Sequence, residues 1–443
     1  MTNRKRLWYI FGPVILAFVL ILILFTMPLG GHYSAKTEQR AASSLSPVVF
    51  KNQKLKQQAL SDKNTRYVPF FGSSELRRFD NFHPSIMAAR YHNYTPFLLG
   101  QRGAQSLPQF FNITTMEGQL RDQKAVYIVS PQWFVKKGIL PPAFKYYNGE
   151  LADLTWLKKA NPKSPYDQYV AKRLIQMIGN DGSVAEDAAK IAKGKPLSSW
   201  DKTILNFRLT LLQHQDALFS GIQLDNNYSR FIKPQINKLP AKYNEARLHK
   251  MAVNKAAKET DNNDFHVKNS FYTKKVKPNL KKLKGSQRHF NYNQSPEYGD
   301  LQVVLNQFKN NNTNVMFVIP PVNGRWEAYT GMDMQMYYRT VNKIKFQLRQ
   351  QGFNNILDLS HDGNKPYFME DTIHIGYAGW VKFDSATSKF IEQNQPQPHY
   401  QLFVLILKFT PPRICSRNIA PSSCPCFICP TKTIWHVNIL PFQ

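Results

Sequence analysis

Tyr67-Val68-Pro69-Phe70-Phe71-Gly72-Ser73-Ser74-Glu75-Leu76 is the stretch on which the fold turns. Its first five residues are a short continuous apolar run, the pattern of a strand buried on both faces. Gly72 ends the run and permits a sharp strand-to-helix turn. Ser73-Ser74-Glu75 then opens a helix-like segment, whose first N–H groups face outward and favour an anion. A serine on such a turn sits where a reacting group would be presented.

Four more runs of the same kind lie further along: Thr95–Gly100, Ala125–Ser130, Asn314–Pro320 and Asn355–Ser360. Each is followed by Gly, Pro, Ser, Asn or Asp and, usually after a loop, by a helical pattern. The strongest helix spans Met332–Gln351, with Tyr337, Val341, Ile344 and Leu348 on one face and Gly352 as its stop. Strands alternating with helices predict an α/β fold with a doubly wound, mostly parallel sheet, and ligands at the carboxyl ends of its strands.

Asp371-Thr372-Ile373-His374 follows the last of these strands. A serine hydroxyl is a weak nucleophile until a base takes its proton. His374 supplies the base, and Asp371, three residues earlier on a turn, can hold the imidazole by one nitrogen and leave the other free. Ser-rich turns and Asp-x-x-His loops are each common alone. Their joint placement at two strand ends points to serine acyl transfer or hydrolysis.

Topology narrows the partners. Leu7–Gly30 is an uncharged, almost continuous apolar run preceded by Arg4, Lys5 and Arg6. About 24 helical residues reach roughly 36 Å, enough to span a hydrocarbon core of about 30 Å. The competing reading, a cleaved signal peptide, lacks a good cleavage site near Gly30-Gly31 or Ser34-Ala35. The expected plan is a cytoplasmic N-terminus (1–6), an anchor (7–30), a polar stalk or short helix leading from the membrane (31–66) and an extracytoplasmic catalytic domain (67–395). Lys and Arg total 58 against 29 Asp and Glu, a net charge of +29. Such an excess calls for an acidic partner. Outside a membrane that partner is a phosphate-rich wall polymer or a lipid head group, and no nucleic acid is expected. A merely solubilising surface is the plainer alternative.

Residues 131–313 are too long for a loop and read as a largely helical insertion, with helical periodicity over Trp156–Met177, Val184–Lys195 and Trp200–Phe219. Inside it, Lys274, Lys275, Lys277, Lys281, Lys282 and Lys284 form a charge run. This is either a solvated face or a surface for an anionic polymer. The tail, 396–443, is different in kind. From His399 onward it holds no Asp or Glu, and all four cysteines fall within Cys415–Cys429. Cys424, Cys426 and Cys429 lie close enough to suggest a metal cluster, with His436 the only other plausible ligand in that stretch, and nothing in the sequence orders them. No metal or cofactor is expected. The change of composition reads as translation in a wrong frame, or as a disordered tail, after a helix ending near Gln395. Absence of cysteine before Cys415 means that the extracytoplasmic domain is held by its core rather than by disulfides.

Several blocks together carry a resemblance. They are Pro69–Leu76, Leu99-Gly100-Gln101-Arg102-Gly103-Ala104-Gln105-Ser106-Leu107, Ser130-Pro131-Gln132-Trp133-Phe134, Pro320-Pro321-Val322-Asn323 with Tyr329-Thr330-Gly331, and Asp371–Gly376 with Gly379-Trp380. In this order they resemble the DltD family of membrane-anchored D-alanyl transfer proteins, and more broadly the SGNH/GDSL hydrolases. The resemblance implies an SGNH-like three-layer fold around a five-stranded sheet. It makes Ser74 the nucleophile, with Ser73 as the alternative, His374 the base and Asp371 its orienter. Oxyanion donors would come from Ser74, Gly100 or Gly103, and from Gln132, which stands where the superfamily has Gly-x-Asn-Asp. The implied reaction is transfer of D-alanyl groups to lipoteichoic acid. Its donor would be a multi-span membrane O-acyltransferase, and the cytoplasmic D-alanyl carrier protein would be only an indirect partner. An extracellular esterase or thioesterase, and a non-catalytic teichoic acid scaffold, are the alternatives. The tail after His399 does not share the resemblance.

Overall fold

The strands β1 (Tyr67–Gly72), β2 (Thr95–Gly100), β3 (Lys124–Ile128), β4 (Asn314–Ile319) and β5 (Ile356–Asp358) form one sheet in the order β2-β1-β3-β4-β5. Every pairing is parallel. The computed structural model describes residues 3–26 and 31–400; the side chains of residues 3, 22 and 24–26 fall outside that description.

Two hydrophobic cores, one on each face, follow from the two-residue period of a strand. Phe71, Leu99, Tyr127 and Phe317 point to one core, with the helices Ser106–Thr114, Glu297–Asn310 and Met334–Arg349. Phe70, Leu98, Val126 and Val318 point to the other, with Pro84–Tyr91, Glu245–Glu259 and Tyr377–Glu392. Covered on both sides, β1 to β4 are largely buried, which is why they read as apolar runs, whereas β5 is only half-buried. The helix expected over Met332–Gln351 runs Met334–Arg349. Asp333 caps it by accepting the Gln335 N–H (2.8 Å), and Gly352 follows at φ +88°.

The insertion is helical, and Pro165 starts a new helix within the span expected to be one: Glu150–Lys159 is followed by Pro165–Ile178. Within it, the helix Pro165–Ile178 is fastened to the helix Glu297–Asn310 by a buried ion pair. Arg173 donates from Nε and Nη2 to the two carboxylate oxygens of Asp300, both at 2.8 Å.

The stretch 31–66 is no free stalk. It forms the helices Ala35–Ser44, Pro47–Lys51 and Lys54–Leu60. Ala41, Ala42, Val49, Leu55 and Ala59 lie in the first core. Its apolar residues are few and separated by Lys and Gln, so the pattern looks polar although one face is buried.

Asn3–Thr26 is a helix of 24 residues. Among the described residues no helix is long and apolar enough to cross a membrane, and residues 27–30, the end of the expected anchor, lie outside them. Cys415–Cys429 and His436 also lie outside the described residues.

Candidate active site

Ser74 stands at the carboxyl end of β1, as the first residue of a short 3-10 helix, Ser74–Arg77. Two glycines make the turn possible. A Cβ on Gly72 would lie 2.5 Å from Glu75 Oε1, and one on Gly100, its neighbour at the end of β2, would lie 2.7 Å from the Gly72 carbonyl carbon. Ser73 is turned inward: it is buried, its N–H donates to Glu75 Oε1 (2.5 Å) and its hydroxyl donates to the Gln101 carbonyl (3.2 Å). Glu75 is itself buried, which raises its carboxyl above the ordinary carboxylate range. The far end of the turn is held by His83, whose Nε2 donates to the Leu76 carbonyl (3.0 Å) while Nδ1 accepts the Ser85 N–H (3.2 Å). Burial lowers the His83 imidazole to about 3, so it is neutral.

Ser74 is half-buried and its hydroxyl lies 2.7 Å from His374 Nε2. His374 Nδ1 lies 2.9 Å from both oxygens of Asp371. Nδ1–H donates to the carboxylate, and Nε2 is left to accept the serine proton. Asp371 Oδ1 also accepts the N–H groups of Ile373 and His374, each at 3.0 Å, which fixes the turn on which both residues sit. The loop is closed by the Glu370 N–H on the His374 carbonyl (2.9 Å). The segment after β4 braces it from outside, because the Asn323 N–H donates to the Thr372 carbonyl (3.0 Å). Asp80 ties this loop to the serine segment: it accepts the N–H groups of Phe82 and Tyr377, both at 2.6 Å. Burial, with Glu370 nearby, pushes the Asp80 carboxyl up to about 7.

Arg78 joins the same constellation, and sequence reasoning missed it. Its Nη2 lies 2.9 Å from Asp371 Oδ2 and 3.1 Å from His374 Nδ1. Burial would raise the Asp371 carboxyl, but the charge and hydrogen bond of His374 and the charge of Arg78 prevail and hold it down to about 2. The signal available in the sequence was position alone: Arg78 follows Ser74 by one turn of helix.

The other expected site residues are placed less closely. Gly100 is a packing glycine against Gly72. Gly103 sits at φ +81° in a turn closed by the Ala104 N–H on the Gln101 carbonyl (2.9 Å). Gln132 lies half-buried on the 3-10 turn Pro131–Trp133 after β3, and among the described residues it makes no hydrogen bond to Ser74 or His374. The six lysines from Lys274 to Lys284 are all exposed. Between them Val276, Leu280 and Leu283 turn inward against Phe265, Trp326 and Tyr329. Among the described residues no group of His, Cys, Asp and Glu could hold a metal ion.

Comparison with known proteins identifies the family. The family model described as DltD protein matches residues 42–392. Protein DltD of Lacticaseibacillus rhamnosus is 44% identical over 408 residues, covering 90% of this chain and 94% of that protein. Protein DltD of Bacillus subtilis is 34% identical over 397 residues, 86% of this chain and 96% of its own length. Protein DltD of Staphylococcus aureus is 26% identical over 394 residues, 88% of this chain and 97% of its own. The chain therefore belongs to the DltD family.

Proposed function

We propose that the protein is a serine-dependent acyltransferase that moves D-alanyl groups onto lipoteichoic acid. The observation that carries the reading is the 2.7 Å contact of Ser74 Oγ with His374 Nε2, in line with the Asp371 carboxylate. In the first half-reaction Ser74 Oγ attacks the carbonyl carbon of an activated D-alanyl donor while His374 takes its proton. The donor's leaving group departs with that proton, and the serine holds a D-alanyl ester. In the second, His374 takes the proton of a polyol hydroxyl, whose oxygen attacks the ester, and Ser74 Oγ recovers the proton. Asp371 keeps Nδ1 protonated and stabilises the imidazolium formed in both steps. The N–H groups at the start of the 3-10 helix, with Gly100, Gly103 or Gln132 as further donors, would face the developing oxyanion.

The catalytic unit is read as SGNH-like, spanning residues 67–395 with its insertion at about 131–313, and anchored outside the cell membrane by 7–30. The apolar run behind Arg4, Lys5 and Arg6 supports the anchor. So does the helix Ser199–Phe219, which contacts the helix Asn3–Thr26 and exposes Trp200, Ile204 and Phe207; a bilayer interface would cover them. On this topology a membrane O-acyltransferase is the donor's source, and the D-alanyl carrier protein acts only through it.

Mass spectrometry of the protein co-expressed with its D-alanylation system tests the reading. An alanyl adduct on the peptide containing Ser73 and Ser74, absent from Ser74→Ala, is the expected result. Full D-alanylation of lipoteichoic acid by Ser74→Ala would overturn it.

A further inference from the structure

Arg78, which touches His374 and Asp371, forms part of the wall of a cavity of about 570 Å³. Arg77 and Arg230 line it as well, and two carboxylates, Asp225 and Glu370, face it from the other elements. The charges do not cancel. Arg78 is spent on Asp371 (2.9 Å), and Glu370 on Lys268 (3.3 Å). Among the described residues neither Arg77, Arg230 nor Asp225 has an oppositely charged partner within ion-pair distance. Two free guanidiniums against one free carboxylate leave the cavity with a single excess positive charge.

The apolar part of the wall is ordered. Phe79 and Phe231 stack with ring centroids 5.5 Å apart and planes at 8°. The Arg230 guanidinium lies over the Phe231 ring at 4.9 Å, which restrains it in direction. Arg77 closes the 3-10 helix that Ser74 opens, so the nucleophile and one cation are fixed on the same turn.

We propose that this cavity is a phosphodiester subsite that seats the acceptor polymer beside Ser74. The inference rests on the acyltransfer reading and names where that reaction's acceptor is held. A phosphodiester carries one negative charge, matching the single excess positive charge, and guanidinium forks grip its two free oxygens in pairs. The carbon chain between phosphates would lie on the Phe79–Phe231 pair. Asp225 is then an acceptor for a polyol hydroxyl. The exposed lysines Lys274–Lys284 would hold the polymer only by general attraction, whereas Arg77 and Arg230 set the repeat that reaches the serine.

The test is equilibrium binding of a synthetic trimer of glycerol phosphodiesters to the full chain carrying Ser74→Ala, which cannot be acylated. The parent is expected to bind the trimer, and adding Arg77→Gln with Arg230→Gln should weaken binding about tenfold or more. Both arginines are exposed, so the variants should keep the parent's thermal midpoint, which is measured alongside. Neutralising the six lysines instead should change trimer affinity less than the arginine pair does. Failure of the parent to bind at millimolar trimer, or equal binding by the arginine variant, overturns the subsite. Because Ser74 plays no part in this measurement, a failure of the acyl-enzyme reading would appear separately, as a missing Ser74 adduct in the wild-type protein.

Discussion

Arg78 and His374 share one carboxylate: Asp371 Oδ2 lies 2.9 Å from Arg78 Nη2 and 2.9 Å from His374 Nδ1. The orienting group is thus held from two sides, and its ionised form is secured well below neutral pH. Arg78→Gln should lower turnover of a small ester about tenfold. A charge-assisted hydrogen bond is worth roughly 1.5–3 kcal/mol, and a third of the Arg78 side chain is in water, which favours the lower end. KM for a small uncharged ester should hardly move. Arg78→Lys keeps the charge but not the fork, so it should recover part of the loss. Wild-type turnover in Arg78→Gln would show that the guanidinium has no part in orienting His374.

The two adjacent serines should separate sharply. Ser74→Ala is expected to abolish acyl transfer. Ser73→Ala should retain most of it and lose about 1 kcal/mol of stability, since its hydroxyl makes one buried bond to the Gln101 carbonyl. Ser74→Ala combined with His374→Ala should be little worse than Ser74→Ala alone, because the pair acts as a unit. Steady-state rates of the three variants check this. Loss of activity in Ser73→Ala with Ser74→Ala active would reverse the assignment.

Much of this arrangement was legible because burial on both faces leaves β1 to β4 as apolar runs that stop at a turn residue. The same logic located Ser74 and the Asp371–His374 loop, since strand ends on one side of a parallel sheet must meet. Arg78 was hidden because one arginine among the many basic residues carries no pattern of its own. Its role exists only once the loop after β5 folds back over the helix after β1. The stretch 31–66 misled for a related reason. Lys56 sits in a basic, Gln-rich sequence, yet it is fully buried, with its ammonium nitrogen on the Phe50 carbonyl (2.9 Å) and Asn112 Oδ1 (2.5 Å).

The lysine run gives a prediction about salt. If Lys274, Lys275, Lys277, Lys281, Lys282 and Lys284 track a polyphosphate, affinity for isolated lipoteichoic acid falls steeply as salt rises, since counterions are released on binding. Changing all six to Gln should weaken that binding and flatten its dependence on salt. Hydrolysis of a small uncharged ester should not change, because these side chains are exposed and make no contact with Ser74 or His374. The inward Val276, Leu280 and Leu283 keep the segment folded in the variant. A salt slope identical to wild type would reduce the run to a solvated face.

Lys56 ties stability to pH. Burial lowers its ammonium to about 7, with Asp216 opposing only in part, whereas the unfolded chain returns it to about 10.4. Between these values the unfolded state binds the extra proton, so stability must rise with pH across that window. Below pH 7 both states are protonated, the burial cost of the charge is felt in full and the dependence on pH vanishes. Lys56→Met removes the titration together with the two hydrogen bonds, and it should lower stability at pH 9 more than at pH 7. The difference should approach a few kcal/mol, as each tenfold change in proton affinity corresponds to about 1.4 kcal/mol. Urea unfolding midpoints of wild type and Lys56→Met at pH 7, 8 and 9 measure it. Parallel pH profiles for the two proteins would mean that Lys56 stays charged in the folded state, compensated by Asn112 and the Phe50 carbonyl.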